Sequence, residues 1–360
     1  MQLYEEDIFG SMPVSEVPEG RNTLKASLFT LIVLARDVER ALHCQKIVEI
    51  IARKFPCKII FVSITDEGGP SELRRQSCCR LIGEGPAAPT CDVLTIHCST
   101  DQVHKVPFII IPEIIADLPA FLLLGHDPMH LQPLVDQLEP YVGRIVFDIS
   151  RLDNVGDFAT RLLALPHQVK YVDLNWARTK PWRESLARVF NTPERLLHLK
   201  HCNRLEIRYS HRITPSQNSI QDSQALFLQA WLASRLHWEP LSFEDTPDHS
   251  LIRYRTNQHE TSVFLTPSDS GIMEEGNITC VEFSGENEIH YLLTYERDDR
   301  HIAVHASSQD RCEMPYTLFV GSFQHGRTLP SEVFQQASSE HYLPMLELLA
   351  TKPWQRDRGH

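Results

Sequence analysis

The sequence lacks the glycine-rich turns that cradle phosphates. Neither G-x-G-x-x-G nor G-x-x-x-x-G-K-[ST] occurs in its 360 residues. The first strand-like run is followed by ARDVERA, which has no glycine, so a dinucleotide is not expected at that turn. Gly68 and Gly69 sit among acids in DEGGPSE, a poor site for an anion. The G-x-S-x-G elbow of serine hydrolases is missing as well, and GEGPAAP reads as a linker. No C-x-x-C pair is present. The nine cysteines are odd in number and irregularly spaced, which suits reduced thiols in a cytoplasmic protein. Basic residues are in deficit, 35 against 47 acids for a net charge of -12, and a general nucleic-acid coat is disfavoured. Long apolar runs are absent too. VPFIIIPEIIADLPAFLLLG is broken by Pro107, Pro112 and Pro119 and by Glu113 and Asp117, so it reads as buried elements and no membrane span is expected. MQLYEEDIFG is acidic and polar, unlike a signal peptide. The eighteen histidines are scattered. His301, His305 and Cys312 come nearest to a metal cluster but lack a fourth ligand, so neither metal nor cofactor is expected.

What is present divides into two patterns. After a polar lead over residues 1–20, SLFTLIVLA, CKIIFVSI, DVLTIHCS, AFLLLG and RIVFDIS are short continuous apolar runs. Strands buried on both faces have this character. Helical segments lie between them: DVERALHCQKIVEIIARKF, with Leu42, Ile47, Ile50, Ile51 and Phe55 as its apolar stripe, a short piece after Pro112, and LQPLVDQLEPYV. Residues 21–200 are therefore expected to form an α/β domain, a three-layer, mainly parallel sheet with helices on both faces. Residues 201–360 read differently. RLEIRYSH, LIRYRTN, ETSVFLT, NITCVEFSG, EIHYLLTYER and HIAVHAS are alternating strands with polar turns. A strong helix, SIQDSQALFLQAWLASRLHW, is capped by Ser219 or Asp222, and LPSEVFQQ and YLPMLELLA look helical. This part is expected to be α+β with a mainly antiparallel sheet.

Candidate chemistry is sparse. Asp148 in FDISRLDN and Asp127 in LLLGHDPMH fall at the ends of two expected parallel strands, where α/β proteins bind ligands. They support one reading as a sugar-phosphate or nucleotide enzyme; loop capping is the alternative. The stretch YVDLNWARTKPWRESLARVF is denser. Its first part alternates, with Val172, Leu174 and Trp176 on one face. Pro181 suits the first turn of a helix whose stripe is Trp182, Leu186, Val189 and Phe190. Two roles stay open for its tryptophans and arginines: a partner surface, or a clamp in which Arg178 or Arg183 pairs with Asp173. Residues 170–212 hold ten Lys/Arg and four Asp/Glu, a net of +6. Residues 239–299 hold three Arg and fourteen Asp/Glu, a net of -11. Such polarity suits docking onto a protein.

That stretch resembles D-L-x-W-x-R-x-x-P-W-R-x-x-L-A-x-x-F, a signature of the glucose-6-phosphate dehydrogenase assembly protein family, often called OpcA. FPCKIIFVS, IIIPEIIADLPAFLLLG, RIVFDIS and ALFLQAWLASRLHW resemble further family segments in the same order, over roughly residues 21 to 240. The resemblance implies a non-catalytic, cytoplasmic protein that assists assembly or activation of glucose-6-phosphate dehydrogenase in the oxidative pentose phosphate pathway. It maps Asp173, Trp176, Arg178, Pro181, Trp182 and Arg183 onto the signature, and Asp117 and Pro119 onto a D-L-P element. The sequence departs at Leu123-Leu124, where the family has a tryptophan pair, at Ile149, which separates the usual Asp-Ser pair, and at His237, where glycine is usual.

Overall fold

The computed structural model describes residues 27–351 apart from 66–72, 82–89, 127–130, 150–151, 153, 165–169, 212–221, 247, 257–258, 270–274, 287, 297–300, 310 and 321–339. Two sheets organise the chain, each in its own compact unit.

The first sheet comprises β1 (Thr30–Arg36), β2 (Lys58–Thr65), β3 (Arg74–Leu81), β4 (Thr90–Ser99), β5 (Ala120–Leu124), β6 (Arg144–Phe147) and β7 (Lys170–Asp173), in the order β3-β4-β2-β1-β5-β6-β7. All neighbours are parallel except β3, which runs antiparallel to β4 at the edge. The order grows outwards in both directions from β1, so the sheet has a topological switch point between β1 and β5, as in doubly wound dinucleotide-binding sheets. Ile32, Val33 and Leu34 are wholly buried, which explains the unbroken apolar run of β1. By the right-handed crossover rule α1 (Val38–Lys54), which packs on β1 and β2, falls on one face and α2 (Val106–Ile110) and α3 (Gln132–Leu138), which touch each other, fall on the other.

Three local features depart from the sequence pattern. The face of α1 that packs on the sheet is Ala41, Cys44, Ile47, Val48 and Ile51, while Leu42 is 47% exposed. Small Ala41 and Cys44 allow close approach: a Cβ on Gly125, just past β5, would stand 2.4 Å from Cys44 Sγ. The helical turn expected after Pro112 lies before it, as a 3-10 turn over Thr100–Lys105, then α2, then a 3-10 turn over Ile111–Glu113. Pro107 and Pro112 each occupy a first turn, where a missing N–H costs nothing, and Ile114 is already extended. β3 has no apolar run because RRQSCCRL is a polar edge strand.

The second sheet holds β8 (Cys202–Ser210), β9 (Glu239–Asp245), β10 (Ser250–Arg255), β11 (Glu260–Ser268), β12 (Ile278–Gly285), β13 (His290–Tyr295), β14 (His301–Ser308), β15 (Arg311–Cys312) and β16 (Tyr316–Phe319). Its order is β15-β14-β13-β12-β8-β11-β10-β9, with β16 also on β14. Every pairing is antiparallel except β8 with β11. Burial alternates along β10 to β14, as in a sheet with one face in the core. Gly285 closes the β12–β13 hairpin; a Cβ there would meet the His201 carbonyl at 2.9 Å, so glycine is required.

The same unit contains α4 (Val155–Ala164), α6 (Lys180–Val189), α7 (Pro193–His201), α8 (Ser223–Leu236) and α9 (Tyr342–Ala350). Residue 200 separates the two sheets, but by packing α4, α6 and α7 belong with the second one. Every residue of α8 from Ser223 to Ala233 is buried, and α9 packs against α4 and α8. Asp222 stands at the α8 N-cap, while Ser219 and LPSEVFQQ lie outside the described residues. Among the described residues no helix is long and apolar enough to cross a membrane.

Candidate functional site

The carboxyl end of the first sheet is where a doubly wound fold would bind a ligand. Here the chain fills that place with its own side chains. Asp37 follows β1 and caps α1, its Oδ1 accepting the Arg40 N–H at 2.7 Å. Its backbone has φ 70° and ψ 159°, a region that favours glycine, so an acid is held at a strained turn. Arg40 reaches across the strand ends. Its Nε donates to the Gly125 carbonyl at 2.7 Å, and its Nη2 donates to the Asp148 carbonyl. The Asp148 carboxylate is 1% exposed and meets His43 Nε2 at 2.7 Å. Below this network lies the Cys44 thiol, which burial pushes up to about 12 against the opposing pull of Arg40. A pyrophosphate does not fit: a carboxylate already occupies the α1 N-terminus, and no run of glycines opens the backbone to it. Sequence reasoning identified Asp148 but not its partners Arg40 and His43. The signal was available, since both lie in the first two turns of the helix that follows β1.

The Trp/Arg stretch forms β7, then a short helix α5 (Leu174–Arg178), then α6. The alternation expected through Trp176 stops at Asp173, because Leu174 starts a helical turn closed by Thr179 N–H to Trp176 O at 3.1 Å. Pro181 sits in the first turn of α6, and Trp182, Leu186, Val189 and Phe190 are all buried, as their spacing indicates. Trp176 and Tyr342 of α9 pack with ring centroids 5.5 Å apart. The Arg183 guanidinium lies 3.6 Å from the Trp176 ring centroid. Its Nε donates to Thr179 Oγ1 at 3.0 Å, and Thr179 Oγ1 donates in turn to the Trp176 carbonyl at 2.7 Å. Arg178 Nη1 donates to Asn175 Oδ1 at 3.0 Å. Both arginines are half-buried and Asp173 is buried. Arg183 thus ties the end of α5 to the start of α6.

The remaining candidates are dispersed. Asp117 is exposed, and the Pro119 carbonyl accepts the Thr30 N–H at 2.9 Å, which steers the D-L-P turn into β5 beside β1. Asp127 lies outside the described residues. His301 packs on Phe319 with ring centroids 5.6 Å apart. Among the described residues no three His, Cys, Asp or Glu side chains gather as a metal site.

Fold and strand-end network together define a class: a doubly wound sheet of dehydrogenase-like strand order, joined to a mixed sheet and stripped of the phosphate turn. Two family descriptions match the chain, the glucose-6-phosphate dehydrogenase subunit N-terminal domain over residues 48–163 and its C-terminal domain over residues 169–335. The chain belongs to the OpcA family of glucose-6-phosphate dehydrogenase assembly proteins. It is 26% identical over 205 residues to a Synechocystis sp. protein carrying the name OxPP cycle protein OpcA, a match covering 56% of this chain and 41% of that one. The Synechococcus elongatus protein of the same name is 28% identical over 197 residues, covering 54% and 42%. The match therefore spans less than half the length of these relatives. Among solved structures, glucose-6-phosphate 1-dehydrogenase from Mycobacterium avium is similar in fold, with a TM-score of 0.55, 12% identity, and coverage of 91% of this chain and 90% of that one.

Proposed function

We propose that this chain is a non-catalytic factor that binds glucose-6-phosphate dehydrogenase and promotes its assembly or activation. The observation that carries this reading is the self-filled end of the first sheet. Asp37, Arg40, His43 and Asp148 satisfy one another where a dehydrogenase of this strand order needs open backbone. Family membership supports this partner: the matching domains and the relatives' names concern glucose-6-phosphate dehydrogenase or the OxPP cycle. The net charge of +6 over residues 170–212, in a chain of net -12, suits recognition by charge. The test is an activity assay and mass measurement of purified dehydrogenase from the same organism, with and without this chain. A change in activity or oligomeric state with a stoichiometric complex is expected; no complex and no change would refute the reading.

One observation favours a second reading. His43 is partly exposed and oriented by a buried carboxylate, the arrangement of a general base. A sugar-phosphate enzyme built on this pair would lose turnover in His43→Gln, whereas the assembly role would survive it.

A further inference from the structure

The second unit holds a hollow that none of the family signature's arginines explains. Its volume is about 590 Å³, within the range of about 300–1,000 Å³ typical of binding pockets. Leu186 and Phe190 of α6, Leu196 and Leu197 of α7, and Trp231 and Leu232 of α8 line it. Two of the three walls are thus made by segments that carry the family resemblance, the end of YVDLNWARTKPWRESLARVF and the W-L-A-x-x-L part of the α8 motif, and α7 makes the third. A purely structural packing of α6 against α8 would close this space. Instead Leu197 is 52% and Leu196 39% exposed, and the Trp231 indole N–H is buried without an acceptor.

The lining is also polarised. Lys200, His201, Arg235 and His237 stand on it, and among the described residues no acidic one does. In a protein with twelve more acids than strong bases, a lining of basic and apolar groups with Thr256 beside them selects its occupant by charge. His237 is the left-handed C-cap of α8 at φ 54°, a position where glycine would be relaxed. An imidazole is kept there despite the strain, and it lies on the hollow.

We infer that this groove is the docking site for a short apolar segment of the dehydrogenase flanked by carboxylates. The apolar side chains would cover Leu196, Leu197 and Phe190, and the flanking carboxylates would meet Lys200 and Arg235. The inference rests on the proposed partnership with the dehydrogenase and names the surface that serves it.

The test uses the full chain and the purified dehydrogenase, with dissociation constants from titration calorimetry. Leu197→Glu and the double variant Lys200→Glu/Arg235→Glu alter exposed positions and are expected to melt like the wild type. Each should weaken the complex about tenfold or more, the loss expected at a central anchor. Arg253→Glu, a single reversal of the same kind on β10, should leave it unaltered. If the wild-type chain binds and both groove variants bind equally well, the groove assignment fails and the partner reading stands. Failure of the wild-type chain to bind sinks both. Equal weakening by Arg253→Glu would mean unspecific charge attraction and overturn the groove. So would decanoate, a free apolar carboxylate, if it bound in the groove without competing with the dehydrogenase, or a self-association of the chain abolished by Leu197→Glu.

Discussion

The end of the first sheet and the groove of the second unit are built on opposite principles. At the sheet end the groups are polar and each serves another: Arg40 holds the Gly125 and Asp148 carbonyls, and Asp148 holds His43. In the groove the groups are mostly apolar, and Leu196 and Leu197 remain open. A polar cluster whose members bond one another has less left to offer a ligand. An apolar hollow left uncovered carries a standing cost in water, which a partner removes. The strand-end place is filled by the chain's own side chains, and the apolar hollow lies among helices of the other unit.

This contrast can be broken by substitution. The largest effect is expected from Trp182→Ala. Trp182, on the buried face of α6, is 1% exposed, and its loss should cost about 3–5 kcal/mol in denaturant titrations. A cost below about 1 kcal/mol would mean that α6 is not packed on that side chain. At the sheet end, Gly125→Ala forces a Cβ onto Cys44 Sγ and should cost about 1–3 kcal/mol. Cys44→Ala in the same chain should restore most of it, and lack of rescue would show that the closeness to α1 is not the cause. Arg183→Ala removes the stacking on Trp176 and the bond to Thr179, for an expected loss of about 1–2 kcal/mol in thermal stability. Arg183→Lys should not repair this, because an ammonium lacks the flat stacking face. The smallest change goes the other way. His237→Gly should raise stability by about 0.5–1 kcal/mol by relieving the left-handed cap, while weakening dehydrogenase binding.

Acid offers a further comparison. Lys58 donates to Glu113 Oε2 at 2.6 Å and, with help from Arg75, holds that carboxyl below its ordinary range. A depressed folded value means that the ion pair stabilises the fold above the unfolded value and loses that contribution as pH falls through the folded one. Melting temperatures of the wild type and Glu113→Gln should therefore converge as pH drops below about 4.5. A constant gap down to pH 3 would show that the pair contributes through shape alone.

Much of the architecture was readable because burial on both faces and on one face leave different marks. Continuous runs such as TLIVLA gave the parallel strands, and alternation such as NITCVEF gave the antiparallel ones. Pro181 marked the start of α6, and the spacing of Trp182, Leu186 and Val189 marked its buried face. Elements held mainly by their neighbours were missed. β3 is polar because only its pairing with β4 makes it a strand, and β9 carries no fully buried residue. α1 was read with Leu42 inward because hydrophobicity outranked size, whereas close approach to Gly125 selects Ala41 and Cys44. The candidate site was half legible. Asp148 was visible as a strand-end acid, but its engagement by Arg40 and His43 depends on residues more than a hundred positions apart in sequence. The groove was invisible, because the apolar residues of α6, α7 and α8 read as ordinary core until packing leaves a gap between them.

The lone parallel pairing in the second sheet bears on how the chain comes to be made. β8 lies between β11 and β12, so neither edge of this central strand can be covered until some fifty to eighty further residues have been synthesised. Between them come α8, β9 and β10. Until these are synthesised, β8, with Leu205, Ile207 and Tyr209 buried in the fold, lacks the strands that pair with it there. A factor proposed to assist another protein's assembly thus passes through a stage of its own in which a sticky strand awaits partners not yet translated.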